Sequence, residues 1–154
     1  MRSIVRGTLG VLFVLGAARV GYAGCDPQGA DKAAVDAARA AVQSSCTCDH
    51  TDPPTTNHGQ YVSCVAGVAQ TQTTDPTNPL PNNCKGYVKK CAARSTCGKG
   101  STAVTCCVPK SDGSVKCKTK SSPDHCAPPA VVGTCASCCD ACPAPGSGPT
   151  CPAQ

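Results

Sequence analysis

Cys135-Ala-Ser-Cys138-Cys139-Asp-Ala-Cys142 is the densest group of reactive side chains in the chain. A C-x-x-C pair brings two thiolates onto one tetrahedron and so can hold zinc. It can also be a redox dithiol, which belongs on a strand-to-helix turn of a βαβ unit. No such pattern surrounds this segment. Neighbouring cysteines usually bond to different distant partners, so a structural disulfide knot is the expected role. A second group, Cys46-Thr-Cys48-Asp-His50 with His58 nearby, offers two thiols and imidazoles that zinc or copper could use. Its competing reading is a cysteine-rich loop whose histidine faces solvent. No Cys-x-x-Cys-His occurs, which argues against covalently attached haem.

Other segments suggest binding more than catalysis. Asn57-His58-Gly-Gln-Tyr61 could present a histidine to a ligand, but it also reads as the capped start of a helix. No nucleophile elbow or metal-protease helix is recognisable, and an enzyme is the least favoured class. Lys85, Lys89, Lys90 and Arg94 fall on one arc of a predicted helix, opposite Cys84, Val88 and Cys91. With Lys99, Lys110, Lys116, Lys118 and Lys120 they would form a cationic surface for anionic polysaccharide, lipid headgroups or nucleic acid. Aromatic platforms for stacked bases are nearly absent, which disfavours nucleic acid.

Positioning these groups requires cross-links. The cysteines are Cys25, Cys46, Cys48, Cys64, Cys84, Cys91, Cys97, Cys106, Cys107, Cys117, Cys126, Cys135, Cys138, Cys139, Cys142 and Cys151. After residue 24 the large apolar side chains are eleven Val, Leu80, Tyr61 and Tyr87, fewer than the cysteines. A chain this poor in apolar bulk cannot rely on a core and needs disulfides or metal. Its cysteine content exceeds the roughly 8–10 % that signals a disulfide scaffold.

Met1 to Ala23 reads as a secretory signal, with Arg2 and Arg6 before a short apolar run and a small-x-small site at Gly21-Tyr22-Ala23. Export to the periplasm or exterior follows, where thiols pair. An alternative is a lipobox at Tyr22-Ala23-Gly24-Cys25, with a lipoprotein anchored through Cys25. Cleavage after Ala23 leaves an even 16 cysteines, whereas lipidation leaves an odd number, so simple secretion is preferred. No later segment is apolar enough to span a membrane.

The elements expected are a helix capped by Asp31 and running to about Ser45, a helix capped by Asn57 over 58–72, and a third over 83–96 that Gly98 would end. Runs 102–108 and 114–120 flank Asp112-Gly113 and predict a hairpin. A three-residue loop over 111–113 would set Cys107 opposite Cys117, and a two-residue loop would set Val108 there. A Pro-rich link over 127–130, the cysteine knot and a flexible tail over 143–154 complete the chain. The fold class is small, disulfide-rich α+β: three short helices, a β-hairpin and a C-terminal knot-like segment. Residues 24–98 form a helical part and 99–142 a hairpin-and-knot part, cross-linked as one domain.

Charge divides along the same lines. Residues 24–75 carry two basic and six acidic groups, and residues 76–120 carry nine basic and one acidic, in a chain of formal net charge +5.

Cys138-Cys139-Asp140-Ala141-Cys142 is similar to the opening of Bowman–Birk protease inhibitors. The second cysteine that closes their reactive loop is missing, and Pro143-Ala-Pro-Gly-Ser147 follows. More broadly, Asn57-His-Gly-Gln-Tyr-Val-Ser-Cys-Val65, Cys84-Lys-Gly, Cys91-Ala-Ala, Ser95-Thr-Cys-Gly98, Cys106-Cys107 and Ser137-Cys-Cys-Asp-Ala-Cys142 resemble secreted cysteine-rich proteins of bacteria. That group has no established activity, so the resemblance assigns no site residue. The expected function is a secreted, non-enzymatic binding or structural protein with no cofactor. A metal-binding protein using Cys46, Cys48, His50 and His58, and a secreted inhibitor or toxin-like effector, are the alternatives.

Overall fold

The computed structural model describes residues 24–142. Helix α1 spans Lys32–Ser45 and buries Val35, Ala38 and Val42, one narrow stripe that Cys46 continues. Asp31 stands at its N-cap but does not cap with its side chain. Its carboxylate instead accepts from the Asp26 N–H at 2.8 Å. Helix α2 spans His58–Thr71 and opens on a full capping box, Asn57 accepting from the Gln60 N–H and Gln60 from the Asn57 N–H.

Helix α3, Lys85–Ala93, follows a single 3-10 turn at Asn82–Cys84 and is shorter at its C-terminal end than the expected 83–96. The Cys135–Cys142 segment is the reason. Ser95 pairs with Ser137 in an isolated bridge, and the Thr96 N–H donates to the Ala136 carbonyl at 2.9 Å. Gly98 therefore does not end the helix. It has φ +69°, donates to the Asp49 carbonyl at 2.7 Å, and lies so close to the start of α2 that a Cβ would sit 2.4 Å from the His58 nitrogen. Only glycine accommodates both demands.

Strand β1 (Val104–Pro109) and strand β2 (Val115–Lys120) form the hairpin, with Cys107 opposite Cys117. That register is the one the three-residue loop requires. The Lys110 N–H closes the loop on the Ser114 carbonyl at 2.8 Å, and Gly113 takes the positive φ of 79°. A third strand, β3 (Val131–Val132), follows the Pro-rich link and pairs with β1, giving the order β2-β1-β3.

The helices enclose a modest core of Val35, Val42, Val65, Leu80 and Val88, closed by alanines and cysteines. The interior beneath the sheet has no large apolar side chain. It consists of Cys117, Cys135 and Ala141, with Cys138 and Cys142 against them. Disulfides hold this framework: Cys25–Cys84, Cys46–Cys64, Cys48–Cys97, Cys91–Cys139, Cys106–Cys126, Cys107–Cys142 and Cys117–Cys138. Cys135 is also disulfide-bonded, and no described cysteine is free. The adjacent pairs Cys106-Cys107 and Cys138-Cys139 do reach separate partners, and Cys91–Cys139 joins the helical part to the knot. The lipobox reading needs the Cys25 sulfur, which is bonded to Cys84. The leader, the tail and Cys151 lie outside the described residues. Among the described residues no helix is long and apolar enough to cross a membrane.

Candidate functional site

The cationic middle segment keeps its charge uncompensated. Two ion pairs occur among the described residues, Lys32–Asp36 and Arg39–Asp140, and neither involves a basic residue between positions 76 and 120. The single acidic group of that segment, Asp112, is occupied by the Ser114 N–H and hydroxyl, and these bonds hold its pKa below the usual carboxylate value. Lys89 and Lys90 are exposed on α3, as are Lys116 and Lys118 on β2. Cys84, Val88 and Cys91 are buried on the other side of the helix region.

Arg94 departs from its expected place. It is the C-cap of α3 and not a helical residue, and its guanidinium donates to the Cys117 carbonyl at 2.8 Å. Lys99 behaves similarly, its ammonium reaching the Thr119 hydroxyl at 2.8 Å, and desolvation lowers its pKa from the ordinary lysine value. These two contacts tie the end of α3 and the segment after it to β2, between its exposed lysines. Lys85 is half-buried and donates to the Gln70 side chain at 3.0 Å. The exposed groups left to meet a partner are thus Lys89 and Lys90 on the helix and Lys110, Lys116 and Lys118 on the hairpin, with Lys120 half-buried.

The loop joining α1 to α2 is organised around Asp49, which the sequence reading did not single out. Its buried carboxylate accepts from the N–H and hydroxyl of Thr51, the N–H and hydroxyl of Thr55, and the N–H of Thr56, at 2.5–3.1 Å. These bonds, the Thr55 hydroxyl foremost, hold its pKa far below the usual carboxylate range. His58 follows the loop. Its Nδ1 lies 2.8 Å from the Cys97 carbonyl and its Nε2 3.3 Å from the Ala93 carbonyl. Both ring nitrogens meet backbone acceptors, so His58 is a clasp between α2 and the end of α3.

The metal donors considered from sequence are therefore divided. Cys46 is bonded to Cys64 and Cys48 to Cys97, and His58 faces carbonyls. His50 is half-buried, not a solvated side chain, with its Nε2 3.2 Å from the Cys48 sulfur. Donor atoms of Cys48, His50 and Cys97 lie within 4.8 Å of one another, but the two sulfurs belong to one disulfide. The same holds for Cys25 and Cys84 beside Asp31. A disulfide sulfur lacks the thiolate charge that binds zinc.

An open cavity of about 360 Å³ lies between α1, the end of α3 and the Cys135–Cys142 segment. Its walls carry Val42, Val65 and Val88, the Cys48–Cys97 bridge, and the Arg39–Asp140 pair. Tyr61 also lines it, and burial raises its hydroxyl pKa above the usual tyrosine value against the pull of Arg39. Mostly apolar walls with a few convergent polar groups are typical of small-molecule sites. Comparison with protein families, curated proteins and solved structures finds no match to this chain.

Proposed function

We propose that this chain is an exported, non-enzymatic binding protein that holds anionic envelope polymers or lipid headgroups through its cationic middle segment. The observation that carries this reading is the absence, among the described residues, of any ion pair involving a basic residue of 76–120. Nine basic groups against one acidic group concentrate positive potential on this segment, which a polyanion would lower. The disulfides support export, because such bridges persist in oxidising compartments. They also tie the helix and the hairpin to the same Cys138-Cys139 pair, so that the backbone carrying Lys89, Lys90, Lys116 and Lys118 needs no ordering on binding.

The test is co-sedimentation with anionic vesicles, and separately with cell-envelope fragments, at low and high salt. Attraction of this kind is screened over about 8 Å at physiological ionic strength, so retention should fall steeply as salt rises. Replacing Lys89, Lys90, Lys116 and Lys118 together with Gln should weaken it strongly and leave the circular dichroism spectrum unchanged. Arg94 is left intact, because its guanidinium holds Cys117 of β2. Wild-type protein that stays in solution at low salt, or a quadruple variant that binds as well, would remove the reading.

A further inference from the structure

We infer that the Cys48–Cys97 disulfide is a covalent capture site for small thiol compounds, opened by exchange with His50 assisting the departing sulfur. This goes beyond the polyanion reading and does not depend on it. Three observations converge on this bridge. Both its cysteines line the 360 Å³ cavity, Cys48 half-buried and Cys97 buried, so an attacking compound must come through that cavity. The His50 Nε2 stands 3.2 Å from the Cys48 sulfur, where an N–H can donate to a thiolate as it forms. Three other bridges have the opposite environment. The Cys84 sulfur lies 3.3 Å from an Asp31 carboxylate oxygen, that of Cys107 3.4 Å from the Ala141 carbonyl, and that of Cys64 3.6 Å from the Ser45 carbonyl. Oxygen acceptors oppose a developing negative charge, whereas an imidazole N–H favours it.

The bridge is also one the fold can open without losing its neighbourhood. The backbone on one side is held by the Gly98 N–H on the Asp49 carbonyl at 2.7 Å, and on the other by His58 on the Cys97 carbonyl at 2.8 Å. Cys46–Cys64 anchors the same loop two residues away. In the exchange, the thiolate of the incoming compound attacks the Cys97 sulfur. The new sulfur–sulfur bond forms as the Cys48–Cys97 bond breaks, and the electron pair leaves on Cys48. The proton given up by the incoming thiol reaches Cys48 through solvent, and until it does the Cys48 thiolate accepts a hydrogen bond from the His50 N–H. The products are a mixed disulfide on Cys97 and a thiol on Cys48, with no other oxidant or reductant consumed. Exchange of this type is faster when the leaving thiolate is stabilised.

The experiment treats the oxidised protein with limiting 2-mercaptoethanol, quenches with acid and N-ethylmaleimide, and maps the first modified peptides by mass spectrometry. Mercaptoethanol on Cys97 with maleimide on Cys48 is the expected first product. His50→Ala should slow its formation roughly tenfold, the rate loss that accompanies removal of one charge-assisted hydrogen bond. His50→Gln, which retains an N–H, should restore part of that rate, and the other bridges should open no differently. A different bridge opening first in wild-type protein overturns the inference, and that result does not require any variant to fold. So does mercaptoethanol on Cys48 with maleimide on Cys97, or a His50→Ala rate equal to wild type.

Discussion

Asp49 concentrates more hydrogen bonds on one side chain than any other described group, and its consequences are measurable. A folded-state pKa depressed below the unfolded value of about 3.9 contributes stability that is complete above that value and lost as pH falls through the folded one. Acid titration of the wild type should therefore show stability declining below about pH 4. Asp49→Asn, which keeps the shape but loses the charge and one acceptor, should lower the thermal midpoint at pH 7 and flatten that acid slope. The same change at Asp75 or Asp112, which cap their own exposed turns, should do less on both counts. Gly98→Ala should cost at least about 1–3 kcal/mol from the positive φ alone, before the clash with the Asn57–His58 backbone. Urea unfolding at neutral pH measures it. Neither position was legible in its actual role. Asp49 sits among Thr51, Thr55 and Thr56, the composition of an Asx-type turn, but Asp75 with Thr71, Thr73, Thr74 and Thr77 has the same composition, so the signal does not single Asp49 out. Gly98 looked like a helix stop because the Cys91–Gly98 stretch ends a helical pattern, and nothing local announces that α2 begins against it.

Elements whose signals are local were readable, and those made by distant pairing were not. The capping box at Asn57 and Gln60 fixes the start of α2, and Asn57→Ala should cost about 1 kcal/mol, read from urea unfolding. The hairpin register followed from loop length once Gly113 supplied the left-handed residue. Strand β3 was missed because Val131-Val132 is too short to show alternation and follows prolines. It exists because Cys106 and Cys107 of β1 need partners on their open edge. Helix α3 was overextended for the same kind of reason. Residues 94–96 continue the helical run in sequence, but the Thr96 N–H donates to the Ala136 carbonyl and the Arg94 carbonyl accepts from the Cys138 N–H, 40 or more positions away. That shift removed Arg94 from the cationic helix face and made it a tie to β2, a difference invisible in helical periodicity.

At the scale of the molecule, sulfur replaces apolar bulk. The helical half retains a small valine core, while the interior below the sheet contains cysteines and one alanine, so the two halves should differ in their dependence on cross-links. Cysteine count and the shortage of large apolar residues made this class legible from composition, but the pairing was not, because connectivity depends on the three-dimensional approach of distant segments. Ordering a backbone costs roughly 1–2 kcal/mol per residue, more than these few buried valines can offset unaided. Each bridge offsets about 2–4 kcal/mol of that by restricting the unfolded chain. Intact mass under denaturing alkylation should show few or no modified cysteines in protein isolated without reductant. The most direct test is thermal unfolding followed by circular dichroism, with and without complete reduction by a phosphine. The account predicts a cooperative transition in the oxidised protein and none, with lost helical signal, after reduction. A cooperative transition at an unchanged midpoint in the fully reduced protein would contradict it.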